Sequence, residues 1–392
     1  MTRSISKYIV SVLFLMTIFG FGIWSLLDND DEKSEMEGRT LEQKPVFNIE
    51  ELLSGEYFSS YEDYYSDQFP LRTNWIETNL YTTNKLFGMK VYKEVFITNG
   101  DYLVSVVNPV DAEQSIVDVS KKIDHLAYDL KRENVPLYFA LVPNKSTMME
   151  NCLPDYIESK PNELTDKLVG EISSDIIVLD LRSAIQPHLG ESNMYFYTDH
   201  HWKPKAAFYA YAEIINRMNI DVSELGKPSD ISDYTWVESN VSFYGSEARK
   251  VGRYNVSSPD TVTIVEKKQK EKPLKIRYKG TNNQPLFDEN FLTNDEIYTN
   301  RYKYYFSGDV PEGIIRNPNI KNGCKLLIIK DSYANAMIPF FPTNFEEVRI
   351  MDRRHYDQVS VQEYVKENDI DIVLLVHNIN SLLTTPSLTQ YK

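Results

Sequence analysis

Cysteine is nearly missing from this chain. Cys152 and Cys324 are the only two in 392 residues, which excludes a disulfide-dense scaffold and a four-cysteine metal site and leaves one disulfide open. No Gly-rich phosphate loop, dinucleotide fingerprint or Cys-x-x-Cys pair occurs, so nothing here seats a nucleotide cofactor or a redox dithiol. Positive charge is also in deficit: 42 Lys and Arg stand against 57 Asp and Glu, a net −15. That balance disfavours long-range attraction to DNA or RNA, and a strongly anionic ligand would need a local basic patch. Of six histidines, His125, His188, His355 and His377 have no ligand spacing around them, so the expectation is no metal and no cofactor.

One long apolar run is present. Tyr8–Leu27 is uncharged, with Arg3 and Lys7 before it and Asp28, Asp30, Asp31 and Glu32 after it. About 20 apolar residues span a bilayer, and the flanking charges place the N-terminus in the cytoplasm and the body outside. The run is long for a signal peptide and no Ala-x-Ala site follows it, which favours an uncleaved single-pass anchor over a cleaved signal. Either way the rest is exported. We read residues 1–30 as the anchor and 31–105 as a stem followed by a helical and hairpin region, with the main domain over 106–392. Glu32–Lys44 reads as a flexible stem. Ile49–Phe87 reads as two short helices broken at Pro70, and Val91–Val107 as a hairpin around Asn99-Gly100-Asp101.

The main domain alternates strand and helix. Val135–Val142, Ile176–Leu181, Cys324–Lys330, Glu347–Met351 and Ile370–Val376 read as strands, and Ser115–Arg132, Asn162–Ile172, Lys205–Ile215 and Val359–Glu367 as helices. This is the pattern of an α/β fold around a parallel sheet. Residues 219–323 break it: they are polar and turn-rich, with a basic cluster at Lys267–Lys279, and read as a β-rich insertion beside the site. Loops at the carboxyl ends of parallel strands bind ligands, which makes Lys145, after the strand ending at Val142, a site candidate; a solvated loop lysine is the bland alternative.

Chemistry concentrates in Tyr195–Trp202, reading Tyr-Phe-Tyr-Thr-Asp-His-His-Trp. In an extended backbone, positions i and i+2 share a face, so Asp199 and His201 would form an acid–base pair while His200 points away, with His200 kept as the rival base. A base needs a group to act on. Ser332, in Asp331-Ser332-Tyr333 after the apolar run Cys324–Lys330, is the serine with the right setting: a strand, a turn and a helix start, whose free amides can hold an oxyanion. The structural alternative is that Asp331 or Ser332 only caps that helix. Gly245, in Phe243-Tyr244-Gly245-Ser246, could bring one more amide to the site, although a turn glycine accounts for it equally.

Together the Asp-His-His-Trp stretch, Lys330-Asp331-Ser332-Tyr333 and Phe69-Pro70-Leu71-Arg72 resemble the bacterial DHHW proteins and the related alginate O-acetyltransferases of the SGNH-hydrolase-like superfamily. The resemblance implies a three-layer α/β fold with a parallel sheet, circularly permuted, since Asp199 and His201 precede Ser332 where the plain fold puts the serine first. It also implies a Ser332-His201-Asp199 triad, in the Asp-x-His spacing of the acetyltransferase branch, and an oxyanion role for Asn378 in His377-Asn378-Ile379-Asn380. The implied activity is an extracytoplasmic O-acetyltransferase that passes acetyl groups through an acetyl-serine to an exopolysaccharide or cell-surface glycan. Its implied donor is a membrane-bound O-acyltransferase. A carbohydrate acetyl esterase and a non-catalytic glycan-binding subunit of an acetylation complex are the alternatives. The net −15 fits a neutral or amino-bearing polysaccharide better than alginate, and the 27 tyrosines offer stacking surfaces for sugar rings.

Overall fold

The apolar runs become the middle of a mixed eight-stranded sheet. The computed structural model describes residues 2–191, 194–278 and 280–392, with side chains from Tyr8 onward; Lys279 of the basic cluster lies outside them. Two compact units emerge: Met1–Met89 with Arg249–Asn255, and Lys90–Ala248 with Val256–Lys392.

In the larger unit we label the strands β1 (Leu137–Val142), β2 (Ile177–Asp180), β3 (Tyr234–Phe243), β4 (Asp260–Lys267), β5 (Lys275–Tyr278), β6 (Thr281–Asn282), β7 (Glu312–Arg316), β8 (Lys325–Lys330), β9 (Glu347–Met351) and β10 (Ile372–Asn378). The main sheet runs β6-β5-β7-β9-β8-β10-β1-β2. Pairing is parallel from β9 to β2 and antiparallel from β6 to β9. The expected parallel sheet is therefore only part of the answer. Residues 219–323 do more than insert beside it, because they supply β5, β6 and β7. β3 and β4 pair with each other as a separate antiparallel ribbon.

Period-2 alternation explains why β8 and β10 read as unbroken apolar runs. Leu326, Ile328, Ile372, Leu374 and Val376 feed one core, while Leu327, Ile329, Val373 and Leu375 feed the other, so both faces must be covered. Helices α1 (Ala112–Arg132), α2 (Pro161–Glu171) and α4 (Val361–Asn368) supply the second core with Ile116, Ile123, Leu130, Leu168 and Val365. Helix α3 (Pro204–Asp221) covers the first with Ala207, Ala210, Ile214 and Met218. Each such aliphatic side chain contributes about 1.5–3 kcal/mol on burial, so interrupting either face with a charge would unseat the sheet. β8 lies between β9 and β10, and the chain crosses over it on the way from one to the other. The carboxyl end of such a strand is where open α/β sheets build their sites. The strands Val91–Tyr92, Val95–Ile97 and Leu103–Ser105 form a three-stranded sheet that belongs to this unit, although the sequence reading groups them with the N-terminal region.

The smaller unit begins with the helix Thr2–Leu27, whose segment Tyr8–Leu27 is long and apolar enough to cross a membrane. The expected flexible stem is instead ordered. Lys33–Ser34 pairs with Arg39–Thr40, Arg39 grips both carboxylate oxygens of Asp67 at 2.7 and 2.6 Å, and Arg72 pairs with Glu37. Its charges have partners about thirty residues on, a separation that local composition does not reveal. Three helices follow, Ile49–Ser54, Glu56–Asp67 and Arg72–Phe87; the first two meet at Gly55, whose φ of +91° ends a helix with least strain in glycine.

Candidate active site

Asp199 and His201 come together by a turn, not by a shared strand face. Tyr195 and Trp202 bridge as a narrow loop, and within it one carboxylate oxygen of Asp199 accepts the backbone N–H of His201 at 3.0 Å and its Nδ1 at 2.5 Å. The two-residue reach of an Asx turn thus places the imidazole. Facing it, His201 Nε2 lies 2.8 Å from Ser332 Oγ. With Asp199 ionised, Nδ1 carries the proton, and the Nε2 lone pair is left to accept from the serine hydroxyl. Asp199 and His201 are 1% and 4% exposed, so this line of hydrogen bonds is dry except at Ser332.

Ser332 follows β8 and opens a 3₁₀ turn, Ser332–Ala336. The turn is capped by Asp331, whose Oδ1 accepts the Tyr333 N–H at 2.9 Å. Capping and reactivity are thereby divided between neighbours, and the Ser332 hydroxyl is left to His201. Asp331 Oδ2 accepts the Asn378 backbone N–H at 2.8 Å and its amide Nδ2 at 2.7 Å. That same Nδ2 also meets Ser381 Oγ at 2.6 Å. Both amide hydrogens of Asn378 are thus committed, which corrects its expected oxyanion role: it braces the cap of the serine turn.

Gly245 is likewise not a free amide. Its N–H donates to Thr198 Oγ1 at 3.1 Å, and an added Cβ would stand 2.2 Å from Asp199 Cβ and 2.7 Å from Oδ2. Glycine is there so that two backbones can touch. The contact lets the next residue, Ser246, donate its N–H to Asp199 Oδ2 at 2.8 Å. Burial pushes the Asp199 carboxyl up, but the charges of His201 and His200 and these hydrogen bonds outweigh it and hold the group well below the usual range.

Lys145 is not a solvated loop lysine. At 1% exposure its ammonium donates to the carbonyls of Phe196 at 3.0 Å, Tyr197 at 3.1 Å and Asp199 at 2.7 Å, and it forms an ion pair with buried Glu247. It grips the loop that carries Asp199 and is closed to substrate. Burial raises Glu247 above the usual carboxylate range, against the opposing pull of Lys145.

Sequence reasoning missed three further groups. Asp260 accepts the backbone N–H of Tyr197 at 2.8 Å and of Thr198 at 2.7 Å, so the two sides of the same loop are held by buried charges of opposite sign. Glu247 accepts from Ser105 Oγ at 2.6 Å and donates its backbone N–H to Thr198 O at 3.1 Å. Tyr302 stacks on the His201 ring, centroids 3.7 Å apart and planes within 6°, and covers one face of the imidazole. All three lie far from residues 195–202 in the chain, and no local pattern marks them.

His200 turns away from the serine: its Nδ1 meets Ser246 Oγ at 2.6 Å, and its side chain is 41% exposed. Asp199, His200 and His201 do bring ligand-type atoms within 4.8 Å, as do Asp309, Asp352 and His355. In the first group, however, His201 spans Asp199 and Ser332. In the second, Lys330 and Arg354 already neutralise both carboxylates.

Comparison with known proteins finds similarity in sequence and in fold. The family model described as DHHW protein matches residues 177–351, a segment that holds Asp199, His201 and Ser332. Bacillus cereus PatB1 is 26% identical, with a TM-score of 0.65 over 76% of this chain and 99% of its own. PatB1 with a sulfonyl adduct aligns over the same shares at 25% identity and a TM-score of 0.64. A DHHW family protein from Eubacterium siraeum shares the fold at 22% identity, with a TM-score of 0.61 over 75% of this chain and 93% of its own. No curated protein matches the chain.

Proposed function

We propose that the chain is an extracytoplasmic O-acetyltransferase that moves an acetyl group through Ser332 to a hydroxyl of a cell-surface glycan. The observation that carries this reading is the unbroken line from Asp199 to His201 at 2.5 Å and from His201 to Ser332 at 2.8 Å. In the first step His201 Nε2 takes the Ser332 proton as Oγ attacks the acetyl carbonyl, and the imidazolium is stabilised by Asp199. The donor's alcohol leaves with that proton, and an acetyl-serine remains. A sugar hydroxyl then gives its proton to His201 and attacks the acetyl-serine; the bond to Ser332 Oγ breaks, His201 returns the proton to that oxygen, and the sugar departs as the ester. The likeness to PatB1, which has been solved with a sulfonyl adduct, supports a site in this fold that takes a covalent group.

Tyr197 is half exposed two residues before Asp199, and its ring lies 4.4 Å from that of Tyr102. An amphipathic surface of this kind suits a sugar ring. The apolar segment Tyr8–Leu27 supports a single-pass bacterial anchor with the body outside. Acetyl-coenzyme A is a cytoplasmic donor, so an external transferase would need its acetyl group delivered by a membrane-bound O-acyltransferase. In fold terms we read the sheet as an SGNH-like arrangement, circularly permuted, because the acid and histidine precede the serine strand β8.

The test gives the full chain, in detergent, an artificial acetyl ester and neutral glucan or amino-sugar oligomers. Mass spectrometry should find acetylated oligomer. Release of acetate alone, with removal of acetyl groups from a pre-acetylated oligomer, would establish an esterase instead.

A further inference from the structure

Exposed apolar side chains are unevenly spread. Among the described residues outside the anchor helix, twelve of the twenty large exposed hydrophobic side chains fall within residues 44–89, and the other eight are scattered over residues 90–392. A patch of this density on a soluble surface marks a contact. The helix Arg72–Phe87 shows it most clearly. Leu71, Trp75 and Leu86 are 48%, 50% and 72% exposed, and their spacing puts them on one helical stripe with Thr78, Asn79 and Thr82 between them. Of the helix's three charged residues, Glu77 is buried against Arg253 and Arg72 is paired with Glu37. Only Lys85 is left, in a chain with a net charge of −15.

The anchor fixes the depth of this stripe. Phe21 stacks on Phe69, centroids 5.4 Å apart, and meets Trp75 edge-on at 6.0 Å. Phe21 lies six residues before Leu27, the end of the apolar run, which is about 9 Å along a helix. If Tyr8–Leu27 fills the hydrocarbon, Phe69 and Trp75 stand at the depth to which interfacial helices sink their apolar faces, about 5–10 Å. Trp24, Tyr65 and Trp75 there supply the aromatic belt of a membrane–water interface.

We propose that the helix Arg72–Phe87 lies in the outer leaflet, with Leu71, Trp75 and Leu86 immersed at the boundary between headgroups and acyl chains. The chain is then held by a spanning helix and a second, in-plane one. This rests on the reading of Tyr8–Leu27 as a retained anchor. The occupant is lipid, not a protein partner, because the stripe begins against a helix that lipid itself surrounds.

The test uses the full chain with Trp24→Phe, reconstituted into phosphatidylcholine vesicles whose acyl chains are brominated near the headgroup or near the methyl end. The Trp75 signal is taken as the difference from the Trp24→Phe/Trp75→Phe chain. Trp75 should lose most of its emission with shallow bromines and less with deep ones. Equal emission in brominated and plain vesicles, from chain that resists alkaline extraction, overturns the proposal and turns the patch over to a protein partner. Chain that alkaline washing releases, or that begins after Leu27 by mass, overturns the anchor reading as well.

Discussion

Two buried charge clusters flank the end of β8, and they differ in one respect. Lys330 and Arg354 face Asp309 and Asp352: two cations and two anions, with Lys330 and Asp352 fully buried. That cluster closes on itself. Around Ser332, Lys145 is matched by Glu247, but the ion-pair partners of Asp199 are the histidines His201 and His200. Asp199 therefore sits buried with titratable imidazoles for partners where Asp352 has Lys330 and Arg354. On the proposed mechanism, that is what separates the two clusters.

The largest effect should come from the Asp199 cluster. Ser332→Ala and His201→Ala are each expected to lower turnover of an acetyl ester about 10³-fold or more, with the double variant little worse, because the pair acts as a unit. Melting of Ser332→Ala should move by less than a lost cap, about 1 kcal/mol, since Asp331 caps the turn. His200→Ala should be milder, and additive losses at the two histidines would break the comparison.

Gly245→Ala comes next. A methyl 2.2 Å from Asp199 Cβ must push the two backbones apart, and a misplacement of about 1 Å at a catalytic group costs roughly 10²-fold. Steady-state kinetics on the folded fraction would show it. Unchanged kcat would mean that Asp199 tolerates displacement.

Lys145→Met against Lys330→Met sharpens the contrast directly. Removing Lys145 strands Glu247 and frees the Asp199 loop, so about 3–5 kcal/mol of stability should go, together with much of the rate per folded molecule. Lys330→Met should cost less stability, because Arg354 still faces both carboxylates, and leave the rate per folded molecule unchanged. Denaturant melts with active-site titration separate the two; equal losses of rate would dissolve the distinction.

A smaller effect belongs to His377, which is fully buried with both ring nitrogens unpartnered. Burial lowers it to about 4. The unfolded chain takes up this proton near pH 6.5 and the folded chain does not, so stability is full above 6.5 and falls between 6.5 and 4, by about 3 kcal/mol in all. Melts of His377→Leu over that range should be flatter by this amount; an identical slope would remove His377 from the acid response.

How much of this was legible in the sequence depended on range. Cys324–Lys330 and Ile370–Val376 declared their strands because both faces are covered, and Asp199, His201 and Ser332 stood out by residue type. Spacing predicts the acid–histidine pair on a strand face, whereas an Asx turn brings the two together. Lys145 reads as a site candidate or a loop lysine, and not as a buried brace, because Glu247, its partner, lies 102 residues on, and Tyr302 carries no local mark of the ring it covers. β5 and β7 were hidden for a different reason. They are short, carry two charged residues each and pair antiparallel on the β6 side of the sheet, so neither an apolar run nor a flanking helix announces them.

The proposed function stands or falls on whether Asp199 and His201 make Ser332 a nucleophile. The most direct measurement is intact-mass and peptide mass spectrometry of the chain quenched during turnover of an artificial acetyl ester. One acetyl group should appear on the peptide containing Ser332 and be missing in His201→Ala. Turnover with no acetylated Ser332, or with the acetyl group on another residue, would contradict the account.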